Sequence, residues 1–526
     1  MEAAKREVAE RETLEQGAVM PVQEAALREK PEQGAGVQGA SEPGAPEPGG
    51  PVRDEPGQRA PEPEVPAAET PVQGIPVQET APLNDAQYAQ RLARMLQCRT
   101  VSRPDSYDDT EFAKLRGVMR ELFPLVHARC ERMTFGEDCW VYRLAGRDKT
   151  RNVMLMSHHD VVAAGDGWTH DPFSGEVVDG KIWARGAVDT KTPLFAEFSA
   201  LEELLACGWE PPCNVWLASS HNEEQSGDGI PLALEYFKKN KITFEVVLDE
   251  GGAVIEPPIG GMRCAQCAMV AVHEKGRYRL HFSAKAGSAN GLGGTVKTPP
   301  AVRMAAVIGE ASSGRLFVRR MNPQMKAMLR TLAPHCTFPL RVVLGNLWLF
   351  GGLLTRLLPK LSAQAGGLLG STCDFSRIEG DAKQCTADAM LRSVDETDML
   401  RDLDALRAFA GQHGVKMTVD KRSEYHGPAD ITRPAYAHLV RCIAHSFPEY
   451  PVAPFILPAG TDARVLTDVC PCVLRFAPIV LSAQQLASVH SADENIDMQA
   501  PGQAVRFYRN FLEFYGQDGI GDQSPA

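Results

Sequence analysis

From Asn84 onward, short continuous apolar runs alternate with longer stretches whose apolar residues recur at helical spacing. AQYAQRLARMLQC and the stretch from Asp109 to Leu122 carry the i, i+3, i+4 pattern of helices lying on a core. The runs from Asn152 to Met156, Asn214 to Ser219 and Glu245 to Leu248 are too short for helices, and their apolar character without alternation suits strands covered on both faces. Between them the spacing predicts a helix after Asp189, with Pro193 in its first turn and Gly208 past its end, and another from Ile230 to Lys239. Strand followed by helix, repeated, predicts a largely parallel sheet with helices on both faces.

Near Val270 the pattern changes. VAVHEKGRYRLHFSAKA alternates like a half-exposed strand, and is followed by a helical run from Pro300 to Ile308 and further alternation from Thr386 to Arg392. This predicts a second domain inserted into the first, ending near Val419, after which helices from about Arg433 to Ser446 and Gln503 to Tyr515 resume the first domain. The expected division is a tail over 1–83, a first domain in two pieces, 84–267 and 420–526, and an insert over 268–419. The most apolar stretch, Val342 to Leu354, is shorter than the roughly 20 residues a spanning helix needs. Bracketed by Arg341 and Arg356, it predicts a buried or interface helix and no membrane span.

Composition changes this picture in three places. Residues 1–83 are rich in Pro, Gly, Glu, Ala and Gln, repeat PVQ at Pro21, Pro71 and Pro76, and predict a disordered tail. That tail holds 16 acidic and 7 basic residues, so most of the net charge of -12 lies there, and no basic face is offered to nucleic acid. Thirteen cysteines without a framework spacing predict free thiols in a reducing compartment, the cytosol by default, and MEAAKREVAERETLEQ lacks the apolar core of a signal peptide.

Candidate chemistry sits at the ends of the apolar runs. His158 and Asp160 follow the first, Asp189 stands after Arg185-Gly186, Glu223 and Glu224 follow the second, and Asp249 and Glu250 the third. Carboxylates so placed repel one another and are costly to desolvate unless cations lie among them, and imidazole with carboxylate suits zinc. Asp189 is the expected bridge between two ions.

These motifs resemble one family: the dinuclear zinc metallohydrolases that include aminoacylase, carboxypeptidase S and succinyl-diaminopimelate desuccinylase. The resemblance is carried by SHHDVV, WTHDPFSGEVVDGKIWARGAVDTK, NEEQSGDG, VLDEGG, EKG at Glu274 to Gly276, GTDAR at Gly460 to Arg464 and VHSADE around His490. NLWLF at Asn346 to Phe350 resembles the carboxypeptidase S branch with its N-fatty-acyl amino acid hydrolases. The resemblance implies a phosphorylase/hydrolase-like α/β catalytic domain, an inserted α+β ferredoxin-like lid, and a possible homodimer through that lid. It also implies two zinc ions, with Co2+ or Mn2+ as possible substitutes. One would be held by His158, Asp189 and an acid of the Asp249-Glu250 pair, the other by Asp189, Glu224 and His490. Asp160 would fix His158, Glu223 would be general base toward a metal-bridging water, and Arg464 would bind a substrate carboxylate. The implied activity is hydrolysis of an amide bond beside a free carboxylate in a small peptide or N-acyl amino acid.

Two positions depart from that family. Ser288 stands where a histidine is expected to reach the oxyanion, and Gln384 stands for an asparagine. They leave open a catalytically weakened zinc-binding protein with a scaffold role, against which the retained Glu223 argues.

Overall fold

The computed structural model describes residues 83–515 apart from 105, 287–297, 382 and 423–424, and leaves the side chains of 363–364 and 421–422 undescribed. The expected tail thus lies, but for its last residue, outside the described residues.

The expected buried strands form the middle of a nine-stranded sheet. Its order is Glu131–Phe135, Cys139–Leu144, Cys213–Ser220, Asp148–His158, Val246–Asp249, Val473–Arg475, Cys267–Glu274 and Val452–Leu457, with Ala253–Ile255 paired beside Cys267–Glu274. The four strands from Cys213–Ser220 to Val473–Arg475 run parallel. Cys213–Ser220 and Val246–Asp249 are buried at every residue, which explains the apolar runs Val215 to Ala218 and Val246 to Leu248 within them. Lys191–Ala206 covers one face, where Phe198 meets Tyr142, and Gly229–Lys239 the other, where Phe237 meets Trp216. Pro454 is tolerated because Val452–Leu457 is an edge strand.

The second sheet is antiparallel, in the order Thr372–Gly380, Gln384–Ser393, Gly276–Lys285, Lys416–Arg422. With Pro300–Ser313 after its first strand and Glu396–Gln412 after its third, the chain runs β-α-β-β-α-β, the ferredoxin-like order expected. Tyr278, Leu280, Phe282 and Ala284 bury one face against these helices. The insert begins later than expected, however. Cys267–Glu274 is a strand of the large sheet, buried throughout and parallel to Val452–Leu457, so the second sheet starts only at Gly276.

The segment from Pro323 to Leu361 lies against the large sheet, where Met325, Leu329, Leu354 and Leu358 share a core with Met269, Ala453 and Ile456. The helix expected around Val342 to Leu354 breaks at Asn346 into Phe338–Gly345 and Leu347–Leu361, bent by 108°. Only one face of it is buried; the other is exposed. Among the described residues no single helix is long and apolar enough to cross a membrane. All thirteen cysteines are free thiols.

Candidate active site

Three neighbouring parallel strands in the middle of the sheet end side by side at their carboxyl ends, at His158, Ser220 and Asp249. The packed sheet beneath holds such ends still, which is why open α/β sheets place sites there. Buried His158 keeps Nδ1 3.3 Å from Asp160 Oδ1 and Nε2 2.9 Å from Asp189 Oδ1. The other oxygen, Asp189 Oδ2, lies 3.1 Å from His490 Nε2, which is also 3.1 Å from Glu224 Oε2. One carboxylate therefore faces two imidazoles, one through each oxygen.

Positioning groups surround this core. The Asp160 carboxylate accepts the backbone N–H groups of Glu223 and Glu224, each at 3.2 Å, so a single buried acid orients His158 and both glutamates. Glu494, fully buried, accepts the N–H of Val188 at 2.8 Å and of Asp189 at 3.1 Å and pairs with the buried Arg185 guanidinium. Gly186 permits this loop: its φ is +85°, and a Cβ there would stand 2.7 Å from Val161 Cγ1. His490 has φ 59°, an uncommon left-handed conformation for a residue other than glycine. A small sheet that pairs Lys181–Trp183 with Asn495–Asp497 holds the two loops together. Glu494 ends the VHSADE motif and Arg185 lies in WARGAVD, but nothing local in the sequence joins them.

Burial raises the Glu223 carboxyl well above the usual range, and Asp462, Glu224 and Glu250 add to this while His158 opposes it. Burial likewise raises Glu224, with Asp189 contributing, and Glu250, with Asp189 and Asp249 contributing; it pushes Asp249 up to about 7. His490 is raised to about 10, because Asp189 and Glu224 outweigh its burial. The Glu224 Oε1 atom is buried with no hydrogen-bond partner among the described residues. Ligand atoms of His158, Asp189 and Glu224 lie within 4.8 Å of one another. Nitrogen and carboxylate oxygen donors, an unpartnered buried oxygen and this crowding of acids fit divalent cations of the zinc type.

Apart from Asp189, which His158 and His490 hold below the usual carboxylate range despite its burial, these shifts share one sign. A group whose pKa is raised by folding stabilises the fold below its unfolded value and loses that contribution as pH rises through the folded value. Asp249 and His490 together span the interval from the ordinary carboxylate range to about 10. Metal-free protein is therefore expected to melt lower at about pH 8 than at about pH 5.5, with zinc flattening the difference, because cations replace the missing protons. Thermal melts at both pH values, with and without zinc, check this; a melting point that rises with pH in the metal-free protein would contradict it.

Asp249 and Glu250 have different neighbours. Asp249 Oδ2 accepts the Ala463 N–H at 3.3 Å, and Thr461 and Arg475 oppose the rise that burial causes in its pKa, whereas Glu250 is influenced by Asp189, His158 and Glu224. Arg464 is half-buried, with Nη1 donating to Thr461 O at 3.2 Å, and lines a small cavity with Lys275, Arg475 and Glu274. Its neighbour Asp462 is buried and accepts from Ser220 Oγ at 2.6 Å. A further cation, absent from the sequence reading, approaches from the second sheet. Arg277 donates through Nη2 to Ser226 Oγ at 2.6 Å, directly after Glu223–Gln225, and lies within electrostatic reach of Glu223 and Arg464. EKG followed by Arg was the available signal.

The remaining polar residues are otherwise engaged. His273 is buried, 2.9 Å from Val394 O, and His281 lies 2.7 Å from Asp388 on the second sheet. His170 stacks on Trp183 and pairs with Glu176. Gln384 is exposed at the start of its strand, while Ser288 lies outside the described residues.

A probable carboxypeptidase S-like protein of Dictyostelium discoideum is 29% identical over 82% of this chain and 85% of its own length. The N-fatty-acyl-amino acid synthase/hydrolase of Xenopus tropicalis is 27% identical over 84% of this chain and 88% of its own. Among solved structures, human carnosine dipeptidase 1 shares the fold with a TM-score of 0.60 at 16% identity, covering 82% of this chain and 96% of that one. The model of peptidase family M20/M25/M40 matches residues 154–513, most of the chain and every candidate ligand. The chain belongs to this family and is a hydrolase.

Proposed function

We propose that this protein hydrolyses the amide bond of an N-acyl amino acid or small peptide beside a free carboxylate, with two zinc ions at the His158, Asp189 and His490 cluster. The observation that carries this reading is the Asp189 carboxylate, turned to His158 through one oxygen and to His490 through the other. His158 with an acid of the Asp249-Glu250 pair would hold one ion, Glu224 with His490 the other, and Asp189 both. Bound there, zinc supplies Lewis acidity that polarises a carbonyl and makes water acidic enough to deprotonate near neutral pH.

Protein groups supply the rest. Glu223, held by Asp160 through its backbone, takes a proton from the attacking water and returns it to the leaving amine. Asp160 keeps the His158 ring in place, as metal-binding histidines require. Arg464 and Arg277 offer guanidinium groups matched to the substrate carboxylate. The acyl side takes its support from the relative named for N-fatty-acyl-amino acids. The ferredoxin-like insert is the lid, since it delivers Arg277, and is the surface we assign to a homodimer. The free thiols suit a reducing compartment such as the cytosol.

Zinc-loaded protein given a panel of N-acyl amino acids and dipeptides is expected to release free amine, to stop on chelation and to resume on zinc addition. Two bound zinc ions with no amine released from any member would refute the proposal. Arg464→Ala and Arg277→Ala are each expected to raise KM roughly tenfold to a hundredfold, the loss of a charge-assisted bond, while kcat changes less. Unchanged KM in both would remove the carboxylate role.

A further inference from the structure

Against the expectation of no basic face, the chain carries eight lysines and arginines and no acidic residue between Glu310 and Asp374, although its net charge is -12. All eight are exposed. Six of them, Arg319, Lys326, Arg330, Arg341, Arg356 and Lys360, have no carboxylate partner among the described residues, Arg319 donating instead to the Ser313 carbonyl. The same segment holds the bent pair Phe338–Gly345 and Leu347–Leu361.

This pair is apolar on both sides. Leu344, Leu347, Leu354 and Leu358 turn inward onto the edge of the large sheet. Outward point Phe338, 73% exposed, Trp348, 81% exposed, and Leu361, 77% exposed, together with Leu349, Leu353 and Leu357. Leu349, Leu353, Leu357 and Leu361 follow one another at four-residue spacing, so they form one ridge along the helix. Beside Trp348, the side chains of Arg319, Arg320, Lys326, Arg356 and Lys360 converge on a recess.

A water-facing ridge of leucines has a cost that soluble surfaces generally avoid, and contiguous exposed apolar patches mark interaction sites. The charge around it selects the partner. A second copy of this face would bring six positive charges without carboxylate partners against six, whereas an anionic lipid surface offers acyl chains to the ridge and phosphates to the recess. Helices of 8 and 15 residues bent by 108° are too short to span a bilayer, but they suit the interface plane, where tryptophan favours the headgroup level. We propose that this face docks the protein on anionic phospholipid membranes, with the Leu349 to Leu361 ridge and Trp348 entering the interface and the basic recess taking a lipid phosphate.

Co-sedimentation of the full chain with vesicles of phosphatidylcholine alone, or of phosphatidylcholine and phosphatidylserine at about 7:3, tests this in about 0.1 M salt, where surface charge still acts. Binding to the mixed vesicles is expected to be at least about tenfold tighter than to the neutral ones. W348E/L353E and R356E/K360E should each weaken it by at least about tenfold, the first by removing insertion and the second by reversing charge. Both alter exposed side chains, and thermal melting verifies that they fold; binding of the variants is compared only where melting matches the wild type, and the wild-type comparison of the two vesicle types stands by itself. No binding of wild type to the mixed vesicles, equal binding to both compositions, or folded variants that bind like wild type would overturn the proposal. So would a concentration-dependent dimer in vesicle-free sedimentation that W348E/L353E abolishes, since the face would then belong to a second copy.

Discussion

Glu223→Gln is expected to lower amine release by about a hundredfold to ten-thousandfold, the range that general acid and base groups contribute, with both zinc ions still bound. The amide keeps the size of the side chain and the backbone N–H to Asp160, but neither accepts nor returns a proton at neutral pH. Zinc content measured beside the rate separates this outcome from a collapsed site. An unchanged rate would transfer the base to another group, and a lost metal would make Glu223 a ligand. The raised carboxyl of Glu223 belongs to the metal-free protein; two cations close by favour the ionised form, as opposite charge does.

Glu494→Ala is expected to cost about 3–5 kcal/mol of stability, because it leaves the buried Arg185 guanidinium without its partner. It also frees the N–H groups of Val188 and Asp189, so zinc affinity should fall about tenfold to a hundredfold, as for other groups that orient ligands. The pair Arg185→Met with Glu494→Leu distinguishes the two effects. Removing both charges should recover much of the stability, while zinc affinity stays low because the Asp189 loop still lacks its acceptor. Recovery of both would show that Glu494 acts on stability alone.

The central strands were readable because burial on both faces leaves a continuous apolar run, and the candidate ligands His158 and Asp249 because they are the last residues of such strands. Other elements were not readable for equally physical reasons. Glu131–Phe135 mixes charged and apolar residues at the sheet edge, and Val452–Leu457 contains a proline that only an edge strand accepts. Cys267–Glu274 merges into the alternating strand after it, so the pattern change near Val270 marked the wrong side of the boundary between the sheets.

By itself the sequence determined what is local. Helix and strand periods, the order of acids and imidazoles at strand ends, and the motifs of the family are all written in windows of a few residues. Tertiary structure decided which of these groups meet. Asp189 faces His490 and Arg185 is neutralised by Glu494 because sheet pairing, such as Trp183 with Asn495, brings together segments hundreds of residues apart, and Arg277 reaches Ser226 from the second sheet. It also decided which face of Leu347–Leu361 is buried, since both faces are apolar and only the edge of the large sheet chooses between them.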